Sequence, residues 1–511
     1  MPITGTILDV AARHPERLAI AGADGRLTYA RLVEDSRRVF GAVDALHRGQ
    51  ETPPQPAAET RGIPITAVSV TSAFHTARIV AGLAGYRAVS ATIDPRWPLA
   101  HRVGVIASTG IGVVISDEPD LADALAARGW TGTVLTLDAF TRLEAATAPA
   151  APPHVRDGDE AFLLLFSSGT TSDPKAFLKT RRQYRANVAV SSAHLEPLPG
   201  VATLAPGPVS YSLTLYAVIE CLATGGTVHV ADAFDPLSVG RVIRDEGITR
   251  VVAVPAVAQG LVDAARRDPQ RFAGLQLVVT GGANLPQAIR DALAAVLPDV
   301  RLISYYGAAE IGFIGDSREG DGTLISVYDG VRARIDDGST PDGEPGTLWI
   351  LADACSDGYI SATTSEVLKG EDSWATVHDQ ARLVGGRLQL IGRAGDIAVT
   401  GGHKVALPEV ERAFDDMPGV TACAVALPDA TLGTVVALVV EGPTPAARGD
   451  GAAASPALDK ASLQAWARER LAPQFVPRRW YRVARLPRTV GGKIRRGETS
   501  ELVAQGEAER L

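Results

Sequence analysis

The 511-residue chain predicts an α/β fold: a large N-terminal domain of parallel or mixed sheets covered by helices, then a small α+β domain. Three observations lead there. Short runs rich in Val, Ile and Leu recur along most of the chain, each bounded by turn residues. Helical patterns lie between them, and alternating strands and helices imply parallel sheets covered on both faces. Toward the C-terminus the order changes to helix–strand–strand–helix, the layering of a small separate domain.

In chain order, the strand-like runs occupy residues 65–70, 112–116, 161–166, 227–231, 251–254 and 275–280, with helical stretches over 236–245 and 285–297. The run lengths and their content of Val, Ile and Leu favour buried strands. The C-terminal part reads as a helix over 408–417, strands over 421–426 and 435–440, and a helix over 462–470. A stretch rich in Ala, Gly and Pro (441–456) reads as a solvated surface loop, and 477–496 is basic. The boundary falls near Gly392–Asp396, dividing the chain into 1–392 and 393–511. No internal repeat is visible.

Composition bounds the function. Fifty-one glycines, 33 prolines and 46% hydrophobic residues describe a globular chain. Fifty Lys and Arg against 58 Asp and Glu leave a formal charge of −8, which argues against a nucleic-acid partner. Cys221, Cys355 and Cys423 form no Cys-x-x-Cys pair, so neither a zinc site nor a disulfide scaffold is expected, only buried free thiols. The first residues lack a basic start and a long apolar run, and no apolar run reaches ~18 residues. A cytoplasmic protein without a membrane partner is the expectation.

The most informative segment follows the 161–166 run: Ser167-Ser168-Gly169-Thr170-Thr171-Ser172-Asp173-Pro174-Lys175. Five hydroxyls, a glycine and a lysine in nine residues suit phosphate, since backbone N–H groups and hydroxyls can wrap its oxygens while Lys175 supplies a mobile charge. The Walker spacing is absent from the chain, and an ordinary Ser/Thr/Gly turn is the bland alternative.

Ser-Ser-Gly-Thr-Thr-x-x-Pro-Lys resembles the phosphate loop of the adenylate-forming superfamily: acyl- and aryl-CoA synthetases, peptide-synthetase adenylation domains and luciferases. Other segments resemble that family's motifs in order. They are Leu27-Thr-Tyr-Ala-Arg-Leu32, the stretch from Gly85 through Ile93-Asp-Pro95 to Pro98, Gly281-Gly282-Ala283-Asn284-Leu285-Pro286 and Tyr305-Tyr306-Gly307-Ala308-Ala309-Glu310. They continue with Trp374 to Asp379, Gly392-Arg393-Ala394-Gly395-Asp396, Gly401-Gly402-His403-Lys404 with Glu409-Val-Glu411, and Leu486 to Arg495. The resemblance thus runs from about residue 27 to residue 496, nearly the whole chain.

The resemblance implies roles. Ser167, Ser168, Gly169, Thr170, Thr171 and Lys175 would hold the phosphates of ATP, as hydroxyl and backbone donors and a point charge. Gly281, Gly282 and Ala283, with Tyr305, Tyr306, Gly307 and Ala309, would receive the nucleotide. Glu310 would ligate Mg²⁺, a hard cation suited to carboxylate oxygen. Asp379 would accept hydrogen bonds from the ribose, with Arg393 close by. Lys493 would bridge the attacking carboxylate and the α-phosphate. Gly395 and Asp396 would form the hinge about which the small domain swings, bringing Gly402, His403 and Lys404 to the acceptor tunnel. The implied reaction is a carboxylic acid plus MgATP giving an acyl-adenylate and pyrophosphate, then transfer to a nucleophile.

Several positions depart from the family pattern. Ser172 and Ala176 stand where glycine is usual, Ala309 where threonine precedes the glutamate, and Val377-His378 where Thr-Gly precedes the ribose aspartate. Gly395 occupies the usual hinge aspartate or lysine position, and glycine rotates freely there. A degenerate, non-catalytic nucleotide-binding protein is the non-enzyme alternative. Tyr211 falls where relatives place a gating aromatic or histidine. Ser212 replaces the aspartate that pairs an α-ammonium, which disfavours an α-amino acid because an unpaired buried ammonium is costly. Ser304, Ala308 and Ile311 complete the pocket, and the small residues Gly307 and Ala308 favour an aromatic acid. With no carrier domain after the lysine motif, CoA is the default acceptor. A separate carrier protein, amide formation, and nitrite-dependent diazotisation of an aryl amine stay open as alternatives.

Overall fold

The computed structural model describes residues 3–167, 174–283, 285–320, 322–400, 403–429, 433–442, 459–471, 473, 475–489 and 492–511. It is a mixed α/β chain with a large N-terminal and a small C-terminal domain. By compactness it forms one unit of Met1–Ala333 with Ile350–Val377 and a second of Arg334–Trp349 with His378–Leu511.

The larger unit holds a six-stranded sheet in the order Thr133–Leu135, Val113–Ser116, Ile65–Ser69, Val89–Thr92, Ala161–Phe166, Ala176–Thr180. The first five are parallel and the last runs antiparallel to its neighbour. Ile65–Ser69, Val89–Thr92 and Val113–Ser116 are buried at every position, as strands covered on both faces must be. One face packs Val68 and Ile115 against Val39, Ile79, Leu83 and Phe140 of the covering helices. The other packs Ala67, Val89 and Leu164 against Val103, Ile106 and Leu121. The helices Tyr29–Arg48 and Ala73–Leu83 start at hydroxyl caps, Thr28 and Ser72, whose oxygens accept the amides of Arg31 and His75.

A second set of strands in this unit follows the order Gly25–Thr28, Leu18–Gly22, Thr227–Val230, Ala202–Ala205, Arg250–Ala253, Leu277–Thr280, Arg301–Ala308, Gly312–Ser317, Leu324–Val327. Leu18–Gly22 through Arg301–Ala308 are parallel neighbours. The flanking members pair antiparallel. The sheets are therefore mixed rather than purely parallel. Val251, Val278, Leu261, Phe272 and Leu293 form the core on one side.

In the smaller unit, Ala422–Asp429 and Gly433–Glu441 pair antiparallel, Arg479–Val483 joins Gly433–Glu441 in parallel, and Glu509–Arg510 closes the edge. Leu438 and Trp480 pack on one face with Phe414 and Leu463, while Val425 and Val439 pack on the other with Leu486. The expected 408–417 helix is shorter, Leu407–Arg412. Beyond it the amides of Phe414, Asp415 and Met417 each bond three residues back, a tightened turn rather than continued α-helix. Most of the 441–456 loop lies outside the described residues. Cys221, Cys355 and Cys423 are free and buried. Among the described residues no helix is long and apolar enough to cross a membrane.

Candidate active site

The hydroxyl-rich segment joins two antiparallel strands, Ala161–Phe166 and Ala176–Thr180, with Phe166 opposite Ala176. Its mouth is closed by the Ser167 amide donating to the Lys175 carbonyl (2.8 Å) and the Lys175 amide donating to the Ser167 hydroxyl (3.2 Å). Ser168, Gly169, Thr170, Thr171 and Ser172 lie outside the described residues.

Alternation along the second strand puts Lys175, Phe177 and Lys179 on one face. The Lys175 ammonium pairs with the Glu366 carboxylate and lies 5.4 Å from the centre of the Tyr359 ring. Phe177 meets the same ring edge-on at 6.5 Å. The Lys179 ammonium donates to the carbonyls of Glu310 (2.8 Å) and Ala354 (2.7 Å). Burial pulls the Lys179 pKa down to about 8, against the opposing pull of Cys355 and Glu310. The neighbouring segment is sewn on by the Ile360 amide to the Ala176 carbonyl (2.7 Å) and the Ala176 amide to the Thr363 hydroxyl (3.1 Å). The usual glycine position, Ala176, is fully buried, so its methyl fits within the packing.

Glu310 sits at a turn apex. Ala308 opposes Gly312 across the antiparallel pair, and the Ile311 amide closes on the Ala308 carbonyl at 3.0 Å. Gly312 has φ +110°, and a Cβ there would lie 2.5 Å from Asn187 Oδ1, so only glycine fits. Gly307 is likewise required, since its Cβ would lie 2.6 Å from the Gly312 carbonyl oxygen. Glu310 is 7% exposed. The Tyr359 hydroxyl donates to Glu310 Oε1 at 3.3 Å, and the Ser356 amide donates to its carbonyl at 2.8 Å. The Ala309 carbonyl accepts from the Tyr216 hydroxyl at 2.9 Å. Ile311 is buried.

The glycine loop follows the strand Leu277–Thr280, which runs parallel to Arg301–Ala308 with Thr280 opposite Ser304. Gly281 lies flat on Tyr305: a Cβ would fall 2.3 Å from the ring. Tyr305 meets Phe313 edge-on at 4.9 Å, and burial pushes its hydroxyl pKa up. Gly282, at φ +79°, and Ala283 are exposed, while Tyr306, Gly307, Ala308 and Ala309 are half-buried. Ser304 is buried.

Tyr211 directly precedes the helix Ser212–Thr224, with Ser212 as its first residue. The Arg96 guanidinium lies 5.6 Å from the Tyr211 ring centre and grips the buried Asp94 carboxylate through two bonds of 2.9 Å. Burial would raise the Asp94 pKa, but the Arg96 hydrogen bonds outweigh it and the net shift is downward. Burial, then the Asp94 charge, pushes the Tyr211 hydroxyl up.

The opposite face of Ala176–Thr180, with Leu178 and Thr180, borders a cleft of about 480 Å³ that Tyr359 also lines. Its wall sets Glu59, Asp157, Asp159, Glu160 and Asp357 against Arg61 and Arg87. That excess of carboxylates disfavours a triphosphate along this wall.

In the smaller unit Asp379 opens the strand Asp379–Val384 and faces Arg393 across the pair with Arg387–Arg393. His378, just before it, has φ +63°. Gly395 and Asp396 lie in a 3-10 turn, Ala394–Asp396, and Gly395 is exposed. Arg496 donates to Asp396 (2.7 Å), to Glu411 and to the Ala424 carbonyl (2.6 Å). His403 and Lys404 lie in the strand His403–Ala406 opposite Thr400 and Val399, and Gly402 lies outside the described residues. Lys493 is exposed on a tight turn: the Thr489 amide donates to its carbonyl (2.7 Å), and its amide donates to the Thr489 hydroxyl (3.1 Å). Glu441 braces the base by accepting from the Leu486 amide (3.0 Å) and Arg488 (3.3 Å).

Thus Lys175 and Glu310 meet through Tyr359 in the larger unit, whereas Asp379, Arg393, Gly395, Asp396 and Lys493 belong to the smaller. Sequence reasoning missed Tyr359, Lys179, Glu366 and the Asp94–Arg96 pair as neighbours of these groups. For Lys179 a signal existed: a lysine inside an otherwise strand-like Ala-Phe-Leu-Lys-Thr run.

The Glu310 carboxylate suits a hard cation. Among the described residues no group of three or more His, Cys, Asp or Glu side chains is placed to hold a metal. One carboxylate, with phosphate and water oxygens for the rest, matches the habit of Mg²⁺.

Residues 66–360 match the model of the AMP-binding enzyme family, and residues 409–493 match that of the AMP-binding enzyme C-terminal domain. The chain is 24% identical to the uncharacterized acyl–CoA ligase YhfT of Bacillus subtilis, over 98% of both chains. It is 29% identical to feruloyl-CoA synthase from Amycolatopsis sp, over 78% of this chain and 82% of the relative. In fold it resembles the O-succinylbenzoate coenzyme A synthetase MenE from Bacillus subtilis in complex with ATP and magnesium ion, at a TM-score of 0.81 and 19% identity over 96% and 98% of the chains. The chain belongs to the AMP-binding enzyme family, the adenylate-forming ligases.

Proposed function

We propose that this ligase activates an aromatic carboxylic acid with ATP and transfers the acyl group to the thiol of CoA. The observation that carries the nucleotide half is the Lys175–Tyr359–Glu310 contact. It sets the lysine of the hydroxyl-rich loop over the ring of one tyrosine and a buried carboxylate at that tyrosine's hydroxyl. Lys175 would meet the outer phosphates and Glu310 would hold Mg²⁺. Bound there, Mg²⁺ supplies charge neutralisation for the departing pyrophosphate.

A substrate carboxylate oxygen attacks the α-phosphorus, the bond to the β-phosphate bridging oxygen breaks, and pyrophosphate leaves. The CoA sulfur then attacks the carboxyl carbon and AMP leaves. Lys493 would stabilise the first transition state, Asp379 with Arg393 would hold the ribose, and Gly281 with Tyr305 would bound the adenine. Functionally the chain divides into 1–392 and 393–511, with Gly395 and Asp396 as the hinge and Gly402, His403 and Lys404 on the acceptor side.

The aromatic preference draws on Tyr211 at the head of its helix and on the substrates named for the feruloyl-CoA and O-succinylbenzoate relatives. Gly307 is small because the Gly312 carbonyl approaches it, so it lends the preference no weight.

The test is AMP and pyrophosphate formation, with mass detection of products, across aryl, aliphatic and amino acids, each with CoA, an amine, or nitrite for aminoaryl acids. Turnover of an aryl acid only with CoA is expected. Product only with an aliphatic acid overturns the substrate class, and product only with an amine or nitrite overturns the acceptor. No AMP under any condition, even with a carrier protein added, leaves a nucleotide-binding protein without activity.

A further inference from the structure

Lys179 has no role in the chemistry above, yet its placement is costly. It is 1% exposed, in a strand whose neighbours Phe177 and Ala176 are fully buried. An apolar side chain there would avoid taking an ammonium out of water. The Lys179 ammonium spans two main-chain carbonyls, Glu310 (2.8 Å) and Ala354 (2.7 Å). Those carbonyls belong to the turn that presents the Glu310 carboxylate and to the segment that leads to Tyr359. The Ser356 amide ties that same segment to the Glu310 carbonyl at 2.8 Å, and the Tyr359 hydroxyl reaches Glu310 Oε1 at 3.3 Å. One buried cation therefore ties the main chain of Glu310 to the segment that leads to the tyrosine donating to its carboxylate.

We propose that Lys179 is a positioning residue that aims the Glu310 carboxylate at the cation carried by ATP, fixing the Glu310 turn and the 354–359 segment together. It rests on Glu310 being the magnesium ligand. A lysine serving packing alone would support the fold without affecting how much Mg²⁺ strengthens ATP binding.

The test is ATP affinity of the full chain by calorimetry, with Mg²⁺ and with EDTA, for wild type, Lys179→Met, Lys179→Gln and Glu310→Gln. The quantity read is the ratio of the two affinities, alongside thermal stability without ligand. Lys179→Met should lose about ten- to a hundredfold of the Mg²⁺-dependent gain, as outer-shell changes do, with the affinity in EDTA unchanged. Lys179→Gln, which keeps an amide donor, should retain an intermediate ratio. A wild-type ratio in folded Lys179→Met overturns the proposal and leaves Lys179 a packing residue. Should that variant not fold, Lys179→Gln decides by the same ratio, and an unchanged value overturns it. Glu310→Gln separates the two ideas. If it keeps the wild-type ratio, Glu310 is not the ligand and the nucleotide assignment itself falls. If it loses the gain while the Lys179 variants keep theirs, only the positioning role fails.

Discussion

The ammonium of Lys175 is held by the carboxylate of Glu366, 191 residues further along the chain, above the ring of Tyr359. Glu366 thus occupies the charge that the nucleotide reading assigns to phosphate, and ATP must displace it. Glu366 is partly solvated, with 44% of its side chain exposed, so the pair is worth about 0.5–1 kcal/mol.

Glu366→Gln should therefore lower the KM for ATP about two- to fivefold. Lys175→Ala should raise it. Pyrophosphate release against ATP concentration reads both. An unchanged or higher KM in Glu366→Gln would mean that Glu366 orients Lys175 rather than competing for it.

Lys493→Ala should cut pyrophosphate release by about a hundredfold or more, because it removes the charge assigned to the transition state. The side chain is exposed on a turn that its main chain and Thr489 hold, so stability should change by about 0.5 kcal/mol or less. ATP binding should be nearly unchanged. Full pyrophosphate release in this variant would remove Lys493 from the chemistry.

Gly395 tests the hinge. A Cβ built there meets nothing within 4 Å, so Gly395→Ala should be thermally neutral and active. Gly395→Pro restricts φ where rotation is proposed and should separate the half-reactions, with adenylate forming and acyl-CoA not released. Measuring bound adenylate and acyl-CoA in one time course distinguishes them. Normal yields of both in Gly395→Pro would rule out rotation at this residue.

What was legible in the sequence was what local pattern carries. The run Ala161–Phe166 could be read directly, because burial leaves a compositional mark within a few residues, whereas the glycines around Tyr305 were found through their motifs. Glu310 was found through its motif. Lys179 and Tyr359 were not found, for a different reason. A lysine in a short run reads as a solvated position, and its burial is set by carbonyls 131 and 175 residues away. Likewise the strand Ala176–Thr180 was missed because its fourth residue breaks the apolar pattern. The shape of the turn at Ala309–Ile311 depends on Asn187 from a distant helix, which no local window contains.

Tyr211 should act on the acid and not on ATP. Its ring is held beside Arg96, itself fixed by the buried Asp94, so removing the ring changes a wall and leaves its support in place. Tyr211→Ala should raise the KM of the preferred acid about tenfold and leave that of ATP unchanged. Equal effects on both would place Tyr211 in general packing rather than selectivity.

Two buried histidines make the fold more sensitive to acid. Burial pulls the pKa of His47 and of His229 down from 6.5 to about 4, with Asp44 and Glu246 respectively opposing the shift. His47 is fixed by a 2.9 Å contact to the Thr66 hydroxyl, and His229 is 5% exposed. Both are neutral in the folded chain over a range where the unfolded chain is protonated. The unfolded state then binds more protons, so their contribution is fully present above 6.5 and is lost as pH falls toward 4. These two groups should pull thermal midpoints down from about pH 6.5 to about pH 4, against buried Glu220, whose pKa burial raises to about 7 and which favours the folded chain as pH falls through that range. The double variant His47→Gln/His229→Gln should show a shallower decline relative to its own midpoint at about pH 7.5. An equally steep decline in that variant would assign the acid sensitivity to carboxylates losing their ion pairs, with Glu246 and Asp94 the first to examine.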